Sequence, residues 1–238
     1  MRISAAPILG LFLIGLGAPD SARAIPEQDA LEKLRVIPVH LMVDGKGVPL
    51  PIPREKTLLL PLFLDVQRAR KELTEIQTRE PSLKVQLATM PLNEANSLVA
   101  TLIQDLKPGY KLAAPVVPRR QDLDIAAALL REQGLNDAQI RKGLTVPVFY
   151  TRPFLTTQTP QGERGLLFLS HQDLKQALAS AGQSPARRVE VSDITAVLRR
   201  LIQTPQDLFV FRAPQAQGTG RKTPVAAPPP PPPALSTP

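Results

Sequence analysis

One pattern of residues occurs twice in this chain and narrows its choice of folds more than any other feature. Ile37-Pro38-Val39-His40-Leu41 is echoed by Val146-Pro147-Val148-Phe149-Tyr150, and Leu62-Phe63-Leu64-Asp65 by Leu167-Phe168-Leu169-Ser170. Leu83-Lys84-Val85-Gln86-Leu87 and Arg187-Arg188-Val189-Glu190-Val191 follow in the same order, with offsets that stay between 104 and 109 residues. Ordered self-similarity of this kind marks a repeated structural unit. Each unit reads as strand, helix, strand, helix, with an additional strand near its start, because alternating stretches lead into apolar residues at helical spacing.

Capping chemistry marks the helix ends. Asp65 stands where a side-chain oxygen accepts free N–H groups, ahead of Val66, Ala69, Leu73 and Ile76 on one helical face. In the second copy Ser170 and Asp173 have the spacing of a capping box, ahead of Leu174, Ala177, Leu178 and Ala181. Leu92, Ala95, Val99, Leu102 and Leu106 predict a helix stopped by Pro108-Gly109. Ser192 is the expected cap of its counterpart, which carries Ile194, Val197, Leu198 and Leu201, and a closing strand is expected over 207–212.

Between the copies, Pro115, Pro118 and Arg119-Arg120 read as an extended linker, followed by helices over 122–133 and 136–142. Ile125 to Leu130 make the first of these apolar over a wide arc, which predicts a central position. The fold class expected is α+β: two α/β repeats with small sheets covered by helices, joined by a helical linker. The boundaries are 25–107 for the first repeat, 108–144 for the linker and 145–212 for the second repeat.

The two ends read differently. Met1-Arg2, the apolar run Ile8 to Leu16 and the small-x-small Ala22-Arg23-Ala24 predict a signal peptide over 1–24, with cleavage before Ile25. The apolar run is shorter than the roughly 20 residues that span a bilayer. Residues 213–238 form a Pro-rich tail expected to be disordered, with Pro228 to Pro233 as a stiff polyproline II rod.

Composition then narrows the chemistry. The 238 residues include no Cys, which excludes disulfides, thiol nucleophiles and Cys-ligated metals, and two His exclude a multi-histidine centre. No metal or other cofactor is expected. The formal charge of +8 makes the chain basic, yet its arginine pairs lack the interleaved aromatics that stack bases, so nucleic acid is not an expected partner.

Taken together, Thr145-Val146-Pro147-Val148-Phe149-Tyr150 and Gly165-Leu166-Leu167-Phe168-Leu169-Ser170-His171-Gln172-Asp173-Leu174, after an export signal and a diverged first copy, resemble the Tic22-type family. That family includes the chloroplast intermembrane-space translocon component and cyanobacterial periplasmic relatives, and the resemblance covers about residues 30 to 212. It implies a pseudo-twofold α+β fold with apolar grooves, and a chaperone-like role in delivering or assembling outer-membrane proteins. It also implies a periplasmic location, with the thylakoid lumen as the alternative, and it brings no catalytic residues.

Two sets of residues are candidates for a binding site. Phe149, Tyr150 and Phe154 are the densest aromatic cluster, and Leu58-Leu59 precede the equivalent strand of the first copy; any of these left exposed would contact a client chain. Arg187, Arg188, Arg199 and Arg200, with Arg119-Arg120, offer contact to carboxylates or acidic headgroups, which leaves peripheral membrane association open. His40 reads as a half-exposed strand residue. Ser170, His171 and Asp173 lie along one helical turn and do not form a triad, which is a matter of geometry rather than proximity in sequence.

The expected function is therefore a non-enzymatic, exported, chaperone-like factor. Its partners would be unfolded or precursor proteins and outer-membrane assembly machinery. The alternative is a periplasmic lipid or small-ligand binding module of the cell envelope.

Overall fold

Strand β1 (Pro38–Val43) sets the layering, because its side chains alternate between two buried faces. Val39, Leu41 and Val43 enter one apolar cluster, while Met42 enters another with Phe63, Ala69 and Val85. The computed structural model describes residues 26–182, 188–203 and 208–214. The segment 1–24 read as a signal peptide, residues 215–238 of the Pro-rich tail and Arg187 lie outside the described residues.

A short helix α1 (Glu27–Glu32) and a 3-10 turn over Lys33–Val36 lead into β1. They are followed by the hairpin of β2 (Ile52–Arg54) and β3 (Thr57–Leu59), then β4 (Leu62–Phe63), α2 (Val66–Arg79), β5 (Gln86–Pro91) and α3 (Leu92–Gln104). Strands β6 (Lys111–Ala113) and β7 (Val116–Val117) come next. After helices α4 (Arg120–Glu132) and α5 (Asp137–Gly143), the order runs β8 (Pro147–Arg152), β9 (Thr156–Thr159), β10 (Gly162–Leu167), α6 (His171–Ser180), β11 (Arg188–Asp193), α7 (Ile194–Gln203) and β12 (Phe209–Phe211).

Strand pairing follows the same scheme on both sides of α4 and α5. β1 pairs antiparallel with β5, and β8 with β11; β2 pairs antiparallel with β3, and β9 with β10; β6 runs parallel to β3, and β12 to β10. His40 stands opposite Phe63 as Phe149 stands opposite Phe168. The Leu92 N–H donates to Ile37 O at 2.8 Å, and the Ile194 N–H to Val146 O at 2.9 Å.

Three apolar clusters hold these elements. The largest joins residues from both sides of the chain: Leu41 and Val43 of β1, Leu92 and Val99 of α3, Val148 of β8, and Ile194, Leu198 and Leu201 of α7. A second lies under α6 and α4, around Phe149, Phe168 and Leu174; the third lies under α2. Each fully buried aliphatic or aromatic side chain contributes about 1.5–3 kcal/mol, so the shared cluster ties the two parts together.

Several expectations change here. Residues 111–117, read as linker, pair as β6 and β7 with β3 and β4, so by pairing they extend the first set of strands. Pro115 and Pro118 are tolerated because they flank a strand at the edge of its sheet, where a missing N–H costs little. Helix α4 is not central: it buries Asp122 and Ala126 and half-buries Ile125, Leu129 and Leu130 against the second cluster, leaving Ala128 exposed. The cap of α7 is Asp193 rather than Ser192, since Asp193 Oδ1 accepts the Thr195 N–H at 2.8 Å. Asp65 and Ser170 cap α2 and α6 as expected, accepting from Gln67 N and Asp173 N.

Candidate functional site

Period-two alternation along β8 separates its two aromatic residues. Phe149 is fully buried in the cluster beneath α6, its ring 5.4 Å from that of His171. Tyr150 points the other way, toward α7 and the shared cluster. Beyond β8 the chain turns sharply, and the buried Thr151 fastens that turn: its hydroxyl donates to Pro153 O at 2.8 Å and accepts the Leu155 N–H at 3.0 Å. Phe154 is thereby held against Tyr150, stacked at 5.3 Å, and against Phe209 of β12, tilted at 4.8 Å.

These three rings line a small solvent-open recess together with Val197 and Leu201 of α7. Gly165 backs the rings, with Phe209 Cδ1 only 2.9 Å from where its β-carbon would stand. The first half carries Leu60 where the second carries Gly165: the Leu60 N–H bonds to Ala113 O and the Gly165 N–H to Leu208 O, each at 2.8 Å. Leu60 is fully buried, so in the first half its own side chain occupies the core at that position.

Charge gathers at the rim. Arg152 and Arg200 line the opening, and the Arg152 guanidinium lies 5.8 Å from the Tyr150 ring and 5.6 Å from the Phe154 ring, in cation–π range. Arg152 Nε donates to Glu190 Oε2 at 2.8 Å. That bond holds the Glu190 carboxyl below the usual carboxylate range, while burial and the nearby Glu190 push the Tyr150 hydroxyl above 10.0. The arrangement suits an apolar group laid on ring faces beside guanidinium donors.

The other candidate residues fall elsewhere. Phe149 belongs to the core and not to the recess, and Leu58 and Leu59 are half-buried in β3, apart from the residues lining it. Arg188 sits opposite Arg152 across the strand pair, and Arg199 is exposed on α7. Sequence reasoning missed Arg152, Gly165 and Phe209. Alternation would have found Arg152, since Tyr150 and Arg152 share a strand face.

A second, polar cavity lies where α4 meets the start of α6. Asp122 Oδ1 accepts the His171 N–H at 2.9 Å and Arg119 Nη1 donates to Ser170 Oγ at 3.3 Å. Burial raises the Asp122 carboxyl and lowers the His171 imidazole. Ser170 spends its oxygen on the Asp173 N–H as a cap, so this cluster fastens two helices. His40 is half-buried as expected, and its Nδ1 shares a 2.8 Å hydrogen bond with Thr89 Oγ1. Among the described residues, no group of three or more side chains is placed to hold a metal ion, and no helix is long and apolar enough to cross a membrane.

Small sheets, covering helices and an aromatic recess rimmed by arginine define an α+β protein with a surface hollow. No family model and no curated protein matches the sequence. Among solved structures the fold is that of the Tic22 proteins. The chain matches Anabaena Tic22, a protein of protein transport, with a TM-score of 0.63 and 23% identity over 80% of this chain and 93% of that one. It matches Tic22 from Plasmodium falciparum with a TM-score of 0.62 and 18% identity, over 77% of this chain and 91% of that one.

Proposed function

We propose that this chain is an exported, non-enzymatic, chaperone-like factor that holds unfolded or precursor polypeptides in the aromatic recess during protein translocation or outer-membrane protein assembly. The observation that carries the proposal is the group of half-buried rings Tyr150, Phe154 and Phe209, which line a solvent-open recess beside α7. Half-buried aromatic rings lining a recess are the kind of feature that can recognise another chain. The likeness of fold to a transport protein supports the same direction. Export, to the periplasm or to a thylakoid lumen, rests on the leader sequence. The rim arginines would engage acidic partners or a membrane surface.

The same reading takes the two halves as pseudo-symmetric copies of one unit. The repeated pairing order and the paired positions of His40 with Phe63 and Phe149 with Phe168 support it. In one copy Leu60 fills that position with its own side chain, and in the other Gly165 leaves room for the Phe209 ring.

The test is suppression of aggregation when a urea-unfolded β-barrel protein is diluted into buffer containing the purified chain. The wild-type chain is expected to suppress it, and Phe154→Asp to lose most of that effect with a melting temperature within a few degrees. Equal suppression by both, or none by the wild type, contradicts the proposal. A lipid found bound in native mass spectrometry would favour the ligand-binding alternative instead.

A further inference from the structure

We infer that the outer face of the β2–β3–β6 sheet docks this chain on the surface of an anionic lipid bilayer. None of the residues on that face lines the aromatic recess. The inference goes beyond the polypeptide-binding role and does not depend on it.

Register builds the face. The strands lie in the order β2-β3-β6, and three rows of side chains cross them. The middle row, Pro53, Leu58 and Leu112, faces the core side, where Leu112 is buried in the largest cluster and Leu58 packs against it. Period-two alternation sends the two flanking rows to the opposite face. One row is apolar, Ile52, Leu59 and Ala113, and the other runs Arg54, Thr57 and Lys111. All six residues are half-buried or exposed, and none belongs to any of the three described apolar clusters.

More positive charge gathers at the same end of the sheet. The Lys111 N–H donates to Lys56 O at 3.0 Å, and the Tyr110 N–H to Lys107 O at 3.2 Å. Arg54, Lys56, Lys107 and Lys111 are all exposed, and Tyr110 beside them is 50% exposed. No described carboxylate, the adjacent Glu55 included, lies within ion-pair distance of any of these cations.

Charge and shape together name the partner. Each basic group near anionic headgroups tightens partitioning about fivefold, so this cluster favours a dense negative surface. No described cavity is lined by these residues, so the face offers no groove to a peptide. Strand addition along β2 is blunted as well, because Pro53 has no N–H to donate. A bilayer fits the whole pattern. The basic row meets headgroup phosphates while Ile52, Leu59 and Ala113 face the apolar boundary beneath them, and Tyr110 stands at headgroup level with its ring in the apolar zone and its hydroxyl in water.

The chain contains no Trp, so Tyr110→Trp supplies a single fluorescent reporter. The chain from Ile25 onward is used, so that the apolar leader contributes nothing. It is titrated with vesicles of phosphatidylcholine alone or with about a third phosphatidylglycerol, and binding is checked by co-flotation. A blue shift and flotation are expected with the mixed vesicles and neither with phosphatidylcholine, and both should largely vanish in about 0.5 M salt. Arg54→Gln combined with Lys111→Gln, at an unchanged melting temperature, is expected to weaken partitioning more than about tenfold. Arg141→Gln, on the exposed side of α5, leaves it unchanged.

Failure to bind the mixed vesicles overturns the inference. Binding that survives the double substitution also overturns it, and a loss seen only in Arg200→Gln would move the contact to the rim of the recess. A blue shift with poly-glutamate and none with vesicles overturns it in favour of an acidic polypeptide. One that follows the concentration of the chain without lipid does so in favour of a second copy. Suppression of client aggregation is measured separately, so each of these outcomes leaves the polypeptide-binding role standing.

Discussion

Phe209 rests directly on Gly165, its Cδ1 lying 2.9 Å from the point a β-carbon would occupy, with Phe154 Cδ1 at 3.3 Å from the same point. The rings stand where they do because this one position has no side chain. Gly165→Ala forces Phe209 outward into the recess. The expected result is a loss of about 1–2 kcal/mol in urea denaturation, as for other overpacking changes, together with weaker client binding. A variant with wild-type stability and wild-type binding removes Gly165 from the description of the site.

Asp193 is the most heavily engaged carboxylate described at a helix start. Its Oδ2 accepts from Thr145 N at 2.7 Å, Thr145 Oγ1 at 2.6 Å and Val146 N at 3.0 Å, while Oδ1 accepts from Thr195 N at 2.8 Å. It caps α7 and pins the start of β8 together, so it fixes both sides of the recess. Asp65 accepts only the Gln67 N–H at 2.9 Å among its described bonds. Asp193→Ala is expected to cost about 2–3 kcal/mol and Asp65→Ala about 1 kcal/mol by chemical denaturation. Equal losses contradict the difference in bonding.

Two carboxylates titrate with opposite consequences for stability. Burial pushes Asp122 above 3.8, against the pull of the His171 N–H and Arg119, so folding favours its protonated form. Its contribution is greatest at low pH and is lost as pH rises from 3.8 through the higher folded value. For Glu190 the hydrogen bond from Arg152 leads and burial opposes it, leaving the group below 4.5; its contribution is present above 4.5 and lost as pH falls through the folded value. Measured across acid pH, the stability of wild type minus Asp122→Asn should fall as pH rises, and that of wild type minus Glu190→Gln should rise. Slopes of the same sign contradict the assignment.

Helices α2, α5 and α6 were legible in the sequence because their starts carry local chemistry. Asp65, Asn136 and Ser170 each accept a backbone N–H within the first turn, and such caps act over three residues. The six-residue α1 was not legible, since Pro26 provides no side-chain cap and so short a helix is held by packing of Ala30 into the shared cluster. Strands β6 and β7 were missed because Pro115 and Pro118 mimic a linker, and only pairing with distant β3 and β4 makes them strands. The same limit applies to the recess. Tyr150 and Phe154 are neighbours in sequence, but Phe209 joins them through the parallel pairing of β12 with β10, which no local pattern specifies.

Photocrosslinking from a benzophenone amino acid placed at Phe154 tests the central claim most directly. Tyr110, 50% exposed and not among the residues lining the recess, serves as the comparison site. With an unfolded β-barrel protein presented to the full chain, crosslinks are expected from position 154 and not from position 110, and they should fade once the client has folded. Equal crosslinking from both positions, or none from position 154 while the client is still protected from aggregation, would contradict a client-holding recess.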